Sequence, residues 1–299
     1  MKIAVTGASG LIGTALVPLL RSQGHDVVRF VRGSAAAEDE RPWDPSTRTL
    51  DPAHLADVDA VVHLAGAGVA DERWTDARKA VVLASRVDGT MAVARAVAAS
   101  PRTTTLLSAS AVGYYGDTGP RLTDETGPSG EGFLAEVCRQ WESCTSAASD
   151  AGTRVVLLRT GLVLSRHGGA LGPVLPVFRA GLGAPLGNGA QYWPWISLPD
   201  EVGAITHLLT ADVSGPVNLV GPAPVPNREF TKVLGRVLHR PTLPVPVPAP
   251  VLRIALGPFA NEGVLIGQRL EPAVLERSGY GFQHRDLEAA LRAVLDRPA

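Results

Sequence analysis

Lysine is almost missing from this chain. Lys2, Lys79 and Lys232 are the only three, and every other basic residue is arginine. Any chemistry that needs a lysine therefore has three candidates. Cysteine is scarcer still, with Cys138 and Cys144 alone. They fall on one predicted helix at a spacing that points them to different faces, so neither a disulfide nor a metal pattern is expected between them. Buried reduced thiols are the plain reading, and a cytoplasmic setting follows from it. Excess charge is lacking too. The formal net charge is −1, which implies no general attraction to nucleic acid or to a membrane surface. No apolar run approaches the roughly 20 residues of a membrane helix. No leader is expected at the N-terminus, because Met1 to Val5 already reads as fold.

What is present is a core and a glycine-spaced turn. At 299 residues and 45% hydrophobic content, the chain can hold one large α/β domain with a lobe, or two domains. Met1–Val5 reads as a short buried strand and runs straight into Thr6-Gly7-Ala8-Ser9-Gly10-Leu11-Ile12-Gly13. Leu11, Ile12, Ala15, Leu16, Leu19 and Leu20 then recur at helical spacing. Glycines at such a junction allow a tight turn, let a pyrophosphate approach the backbone and let the helix pack close to the sheet. The helix N-terminus faces the anion with N–H groups and a partial positive charge. The strand–turn–helix context reads as a nucleotide site; the bland alternative is a glycine turn without a ligand.

Strands and helices alternate through the first half. Strands are predicted at Val27–Val31, Val58–Leu64, Thr104–Ser108 and Arg154–Arg159, with helices at Trp74–Ala98 and Phe133–Ser149. Alternation of this kind argues for parallel strands with right-handed crossovers, hence a doubly wound parallel sheet. A helix over Asp200–Leu209 and a strand over Val217–Val220 return to it. Between them and beyond, residues 166–195 and 222–299 are expected to form a smaller C-terminal substrate lobe, with residues 1–165 and 196–221 as the nucleotide-binding domain. Asn227 can cap a further helix. Pro241–Pro250 is expected to be an extended, edge-type segment, and a terminal helix is predicted over His284–Asp296. Asp200 and Glu201 open their helix, where acids favour the dipole.

Ligands in open parallel sheets sit beyond the carboxyl ends of the strands. The loops after Val5, Val31, Leu64, Ser108 and Arg159 should therefore line one crevice. The end of the second strand bears on the nucleotide. An NAD site would carry Asp or Glu there. This strand ends Phe30-Val31-Arg32-Gly33-Ser34, and a guanidinium with a hydroxyl suits a 2′-phosphate. NADP(H) is the expected cofactor. Asp44, in Trp43-Asp44-Pro45, can reach the adenine or can serve as a turn residue before Pro45.

Three stretches are similar to the extended short-chain dehydrogenase/reductases: Thr6-Gly7-x-x-Gly10-x-x-Gly13, His63-Leu64-Ala65-Gly66, and Ser108-Ala109-Ser110-Ala111-Val112-Gly113-Tyr114-Tyr115-Gly116. Trp43-Asp44-Pro45, the run Phe133 to Glu142, Trp193-Pro194-Trp195-Ile196 and Gly267-Gln268-Arg269 narrow the resemblance to an atypical branch named the epimerase family, or nucleoside-diphosphate-sugar epimerases. It covers nearly the whole chain. The resemblance implies a Rossmann fold and an NADP(H) site at Gly7, Ser9, Gly10, Leu11, Ile12, Gly13, Arg32, Ser34, Asp44, Leu64, Ala65, Gly66, Arg86, Ser108 and Leu162. It implies no metal. A small-molecule substrate is expected, and no nucleic acid or membrane partner.

The chain also departs from the broader superfamily. There a Tyr and a Lys sit four apart on the helix after the serine loop, on one face, and the ammonium lowers the phenol pKa so that it can exchange a proton. Reading back from Glu142, those positions here are Leu134 and Cys138, and no lysine falls on this helix. The serine matches Ser110. Arg159 is followed by Thr160-Gly161-Leu162 rather than by the Asn of sugar-nucleotide enzymes; Leu162 fits against a nicotinamide but cannot hydrogen-bond a sugar. Tyr114 or Tyr115 can supply a phenol, or one can be core while the other stacks on a neighbour. Arg86 can contact the cofactor or pair with an acid such as Asp88. His63 reads as a packed core histidine, and Cys138 as inert. Arg179 and Arg269 can bind an anionic substrate or be solvated. Two functions stay open: an NADP(H)-dependent oxidoreductase or epimerase-like enzyme, and an NADP(H)-binding sensor with little or no turnover.

Overall fold

The computed structural model describes residues 1–295. Its elements run β1 (Lys2–Thr6), α1 (Leu11–Ser22), β2 (Asp26–Arg32), β3 (Glu40–Trp43), β4 (Ala60–His63), α2 (Asp76–Ala98), β5 (Thr105–Ala111), β6 (Gly119–Thr123), α3 (Phe133–Ser143), α4 (Ser146–Asp150) and β7 (Arg154–Thr160). A seven-stranded sheet takes the order Gly215–Leu219, β7, β5, β4, β1, β2, β3. The pairings from β5 to β3 are all parallel. This is the doubly wound Rossmann arrangement, with the chain stepping outward from β1 in both directions.

The central strands are buried on both faces, as their unbroken apolar runs require. Ile3, Ala4, Val5, Val61 and Val62 are essentially without exposed surface. Ala92, Val93, Ala96 and Val97 of α2 pack with Ala4, Phe30, Val61 and Leu106 in one cluster. The small residues of α2 let the helix lie close to the sheet. Thr75 caps α2 by accepting the Arg78 N–H at 3.1 Å. β3 carries Pro42 and lies at the sheet edge, where a missing N–H is tolerated.

The helix expected over Phe133–Ser149 is broken. α3 ends at Ser143, and a separate turn resumes at Ser146. The Thr145 hydroxyl donates back to the Glu142 carbonyl at 2.8 Å. The run Ser143-Cys144-Thr145-Ser146 consists of weak helix formers whose side chains compete for backbone partners.

The chain forms two compact units. One comprises Met1–Ser110, Val137–Arg159 and Val202–Val217; the other comprises Ala111–Glu136, Thr160–Glu201 and the chain from Asn218 onward. The second has its own core, in which Leu164, Leu171, Phe178, Trp195, Phe230 and Leu291 are buried together. Its helix Asn227–Val237 starts at Asn227, with Pro226 in the capping position. The Asn227 amide oxygen accepts the Leu186 N–H at 2.7 Å instead of capping. The proline run is extended as far as Pro248, with bridges from Thr242 to Gly183 and from Val247 to Leu186, but Ala249 and Pro250 already open a helix over Ala249–Leu256, where proline is tolerated in the first turn. The terminal helix spans Leu287–Leu295; its expected last residue, Asp296, lies outside the described residues. Among the described residues no helix is long and apolar enough to cross a membrane.

Candidate nucleotide site

β1 delivers the chain into a turn that only glycine can make. Gly7 has φ +67°, and a Cβ there would lie 2.8 Å from the Leu64 carbonyl carbon. A Cβ on Gly13 would lie 2.3 Å from the Gly7 carbonyl oxygen. The two glycines therefore let the turn, α1 and the loop after β4 touch backbone to backbone. Gly10 precedes α1 and no side chain caps it. The first-turn amides of Leu11, Ile12 and Gly13 thus have no carbonyl partner within the helix.

A cavity of about 1260 Å³ opens in front of this turn. Of the sequence-derived site residues, its wall brings together Gly7, Ser9, Gly10, Arg32, Leu64, Ala65 and Gly66. Leu11, Ile12 and Gly13 belong to the helix behind the turn, and Ser34, Arg86 and Ser108 lie off the wall. Leu162 opens a strand of the second unit. Arg32 is exposed at the end of β2, and among the described residues its guanidinium pairs with no acid. Asp44 takes the turn role: its carboxylate accepts the Ser46 N–H at 2.9 Å and the Ser46 hydroxyl at 2.7 Å, which holds its pKa below the usual range.

Sequence reasoning missed part of this wall. Trp43 and Pro45 line it, as do Arg29 and Glu40. The available signal was the alternation of β2, which puts Arg29 two residues before Val31. Arg29 bonds Asp39 at 2.7 Å and contacts Glu40 at 3.1 Å. The hydrogen bond from Arg29 is the main reason that Asp39 is held down at about 2.

Behind the wall the strand ends form a polar row. Thr6, His63 and Ser108 are in register on β1, β4 and β5. His63 has no exposed surface and bonds Thr6 at 2.7 Å and Thr90 at 3.0 Å. Trp141 of α3 donates to the same Thr90 oxygen at 2.9 Å. Burial alone pushes His63 down to about 4, so its ring is neutral. It is a core histidine. The Ser108 hydroxyl is buried and, among the described residues, has no hydrogen-bond partner.

Ser110 follows on the same face of β5. Its hydroxyl donates to Glu142 Oε1 at 2.6 Å. Arg159 grips that carboxylate with Nε on Oε1 at 2.8 Å and Nη2 on Oε2 at 2.9 Å. Glu142 was a motif anchor in the sequence; here it is the partner of the candidate catalytic serine. The two tyrosines part company. Tyr115 is 2% exposed and donates to Asn218 Oδ1 at 2.7 Å, which makes it a core residue. Tyr114 stays half-buried, edge-on to Tyr115 at 5.4 Å between ring centres. On α3, Leu134 is half-buried and Cys138 buried. Neither cysteine forms a disulfide.

This strand–glycine turn–helix cradle, on this sheet order, has counterparts among known proteins. The NAD dependent epimerase/dehydratase family matches residues 3–221. The chain belongs to that family. A domain of unknown function, DUF1731, matches residues 247–294. Among the relatives, epimerase family protein Mb2239 of Mycobacterium bovis is 48% identical over 99% of this chain and 98% of its own length. The crystal structure of human epimerase family protein SDR39U1 (isoform 2) with NADPH superposes with a TM-score of 0.90, at 32% identity and full coverage of both chains. A nucleoside-diphosphate sugar epimerase from Corynebacterium glutamicum gives a TM-score of 0.83 at 36% identity, over 99% of this chain and 58% of that one.

The second unit of this family member holds a buried acidic pair that the sequence explained too simply. Asp200 and Glu201 have no exposed surface. Asp200 accepts from Ser197 Oγ at 2.7 Å, the Gln283 N–H at 2.7 Å, the His284 N–H at 3.1 Å and the Tyr280 hydroxyl at 3.2 Å. It ties the C-terminal segment to its helix. Burial pushes Glu201 up to about 8, against the bond from Thr160 at 2.9 Å. A carboxyl that is neutral at neutral pH does not serve the helix dipole. Arg179 is exposed, while Arg269 lies over the Tyr192 ring at 5.2 Å.

Proposed function

We propose that this chain binds NADP(H) and acts as an oxidoreductase or epimerase-like enzyme on a small carbonyl, alcohol or sugar-nucleotide substrate. One observation carries the reading. An uncapped helix N-terminus and an Arg32 guanidinium that pairs with no acid among the described residues face the same 1260 Å³ cavity, and a dinucleotide with an extra phosphate needs both charges there. The cradle fits the group: Gly7, Ala8, Ser9 and Gly10 line the open cavity in front of α1 with small side chains or none, which leaves room for a diphosphate. The NADPH named with the human relative supports it. The amides of α1 would hold the diphosphate, Arg32 the 2′-phosphate, and the loop Leu64–Gly66 the middle of the molecule. When bound, the coenzyme supplies hydride chemistry. Ser110, fixed by Glu142, would orient the substrate oxygen.

Calorimetric titration tests the reading. NADPH is expected to bind more tightly than NADH, and Arg32→Ala is expected to weaken NADPH about 10- to 100-fold, the worth of one or two charge-assisted hydrogen bonds, while leaving NADH unchanged. No heat with either coenzyme sinks it.

A sensor with little turnover is the second reading. It is favoured by Leu134 and Cys138 standing where the resemblance places a phenol and an ammonium, and by the Ser110 proton being already held by Glu142. A screen of small carbonyls separates the two. Oxidation of NADPH that falls on Ser110→Ala supports the enzyme, and silence with tight NADPH binding supports the sensor.

A further inference from the structure

Arg86 projects from α2 into the interior of the first unit and is 8% exposed. Its guanidinium lies over the Trp141 ring at 4.9 Å. One nitrogen, Nη1, donates to the Ala67 carbonyl at 2.9 Å and to the Val82 carbonyl at 3.0 Å. Among the described residues no carboxylate pairs with it. Asp88, an acid close in sequence, is taken by Arg48 at 2.7 Å. Burial disfavours the charged form of Arg86; Cys138 and Asp71 favour it, and the like charge of Arg78 opposes them. An arginine keeps its proton under such conditions, so a net positive charge is buried here with carbonyl dipoles and an aromatic face as its main company. Burying an uncompensated charge is costly unless something opposite in sign arrives.

Its position says what that charge meets. A Cβ on Gly66 would lie 3.6 Å from the Arg86 guanidinium carbon. Gly66 and Ala67 line the large cavity, as does Ser85, the neighbour of Arg86 on α2. In the sheet, β1 lies between β2 and β4. A dinucleotide with its adenosine at Arg32 on β2 and its diphosphate at α1 must therefore carry its other half over β4.

Resting on the coenzyme reading above, we propose that Arg86 makes this site select the reduced coenzyme. The oxidised nicotinamide ring is cationic and the reduced ring is neutral; the rest of the molecule is the same. A fixed guanidinium beneath the loop after β4 repels the first and not the second, while both diphosphates gain equally from it. A like charge at low effective dielectric is worth about tenfold or more in affinity. Arg86 acts here as a positioning charge and not as a reacting group.

The test compares NADPH, NADP+ and 2′,5′-ADP, which lacks the nicotinamide half, by calorimetry. It uses the full chain, Arg86→Met, Arg86→Lys and Arg86→Gln, with thermal midpoints measured alongside. The full chain is expected to bind NADPH about tenfold or more tighter than NADP+. Arg86→Lys keeps that ratio and Arg86→Met brings it toward one, with 2′,5′-ADP weakened no more than NADPH. Arg86→Gln keeps hydrogen-bond donors without the charge, so it reads the same ratio if the methionine variant does not fold. Equal affinities in the full chain overturn the proposal. So does a ratio indifferent to charge removal, or a parallel loss for all three ligands. If the full chain binds none of them, the coenzyme reading itself has failed.

Discussion

The Ser110 hydroxyl and Arg159 Nε both donate to Glu142 Oε1, at 2.6 and 2.8 Å. Glu142 thereby joins β5, α3 and β7 at one oxygen. Its side chain is 10% exposed and that of Arg159 is 4% exposed, so the pair is far less screened than a surface ion pair. Removing one member of a buried pair strands the other, at a cost of about 3–5 kcal/mol.

Glu142→Ala is accordingly expected to lose about 3 kcal/mol or more in urea unfolding, and Ser110→Ala only about 1 kcal/mol. If the two variants cost the same, Glu142 is not the counter-charge of Arg159 in solution.

Gly13→Ala places a methyl group 2.3 Å from the Gly7 carbonyl oxygen. That neighbour is backbone and cannot swing aside. The variant is expected to abolish measurable NADPH binding, and a spectroscopic titration checks this. Gly24, with no atom within 4 Å of an added Cβ, is the control: Gly24→Ala should leave binding intact, though its φ of +81° makes it less stable.

Glu201 gives the alkaline side of the stability profile. Its folded pKa is raised to about 8 from the ordinary carboxyl value of 4.5. The folded chain then holds a proton that the unfolded chain releases. This stabilisation is complete below about pH 4.5 and is lost as pH rises toward 8, at about 1.4 kcal/mol per pH unit. Glu201→Gln cannot lose that proton. Unfolding from pH 5 to 8 is expected to show a flatter profile for the variant, and parallel profiles would count against a neutral Glu201.

His63 gives the acid side. Its folded pKa is lowered to about 4 from 6.5. Its contribution is complete above pH 6.5 and is lost as pH falls toward 4, because the unfolded chain takes up the proton first. Between about pH 4.5 and 6.5 the slopes of His63 and Glu201 oppose each other. In an NMR titration the His63 ring is expected to stay neutral at pH 5.5; a midpoint near 6.5 would contradict its burial.

Much of the nucleotide-binding half is legible because its signals are local. Gly7, Gly10 and Gly13 follow from turn sterics, strands β1, β2, β4 and β5 from apolar runs, and Arg32 from a strand end. β3 is hidden by Pro42, whose cost vanishes only at a sheet edge. The break after α3 depends on Thr145 finding the Glu142 carbonyl. Glu142 as the partner of Ser110, Asp200 as the anchor of Tyr280 and His284, and the bare charge of Arg86 all depend on residues distant in sequence. No period or motif encodes those encounters. Asn227 shows the limit from the other side: a good capping residue by type, it was drawn to the Leu186 amide instead.

The sheet order also bears on how the chain is made. β7 stands between β5 and the strand Gly215–Leu219. On the ribosome, some 55 residues must follow Thr160 before that last strand exists. Until then β7, with Val155, Val156 and Leu158 in its apolar run, is an open border able to recruit another chain. A nascent or truncated product stopping short of residue 219 should therefore be sticky and dependent on chaperones, whereas the finished polypeptide closes that border with its own strand.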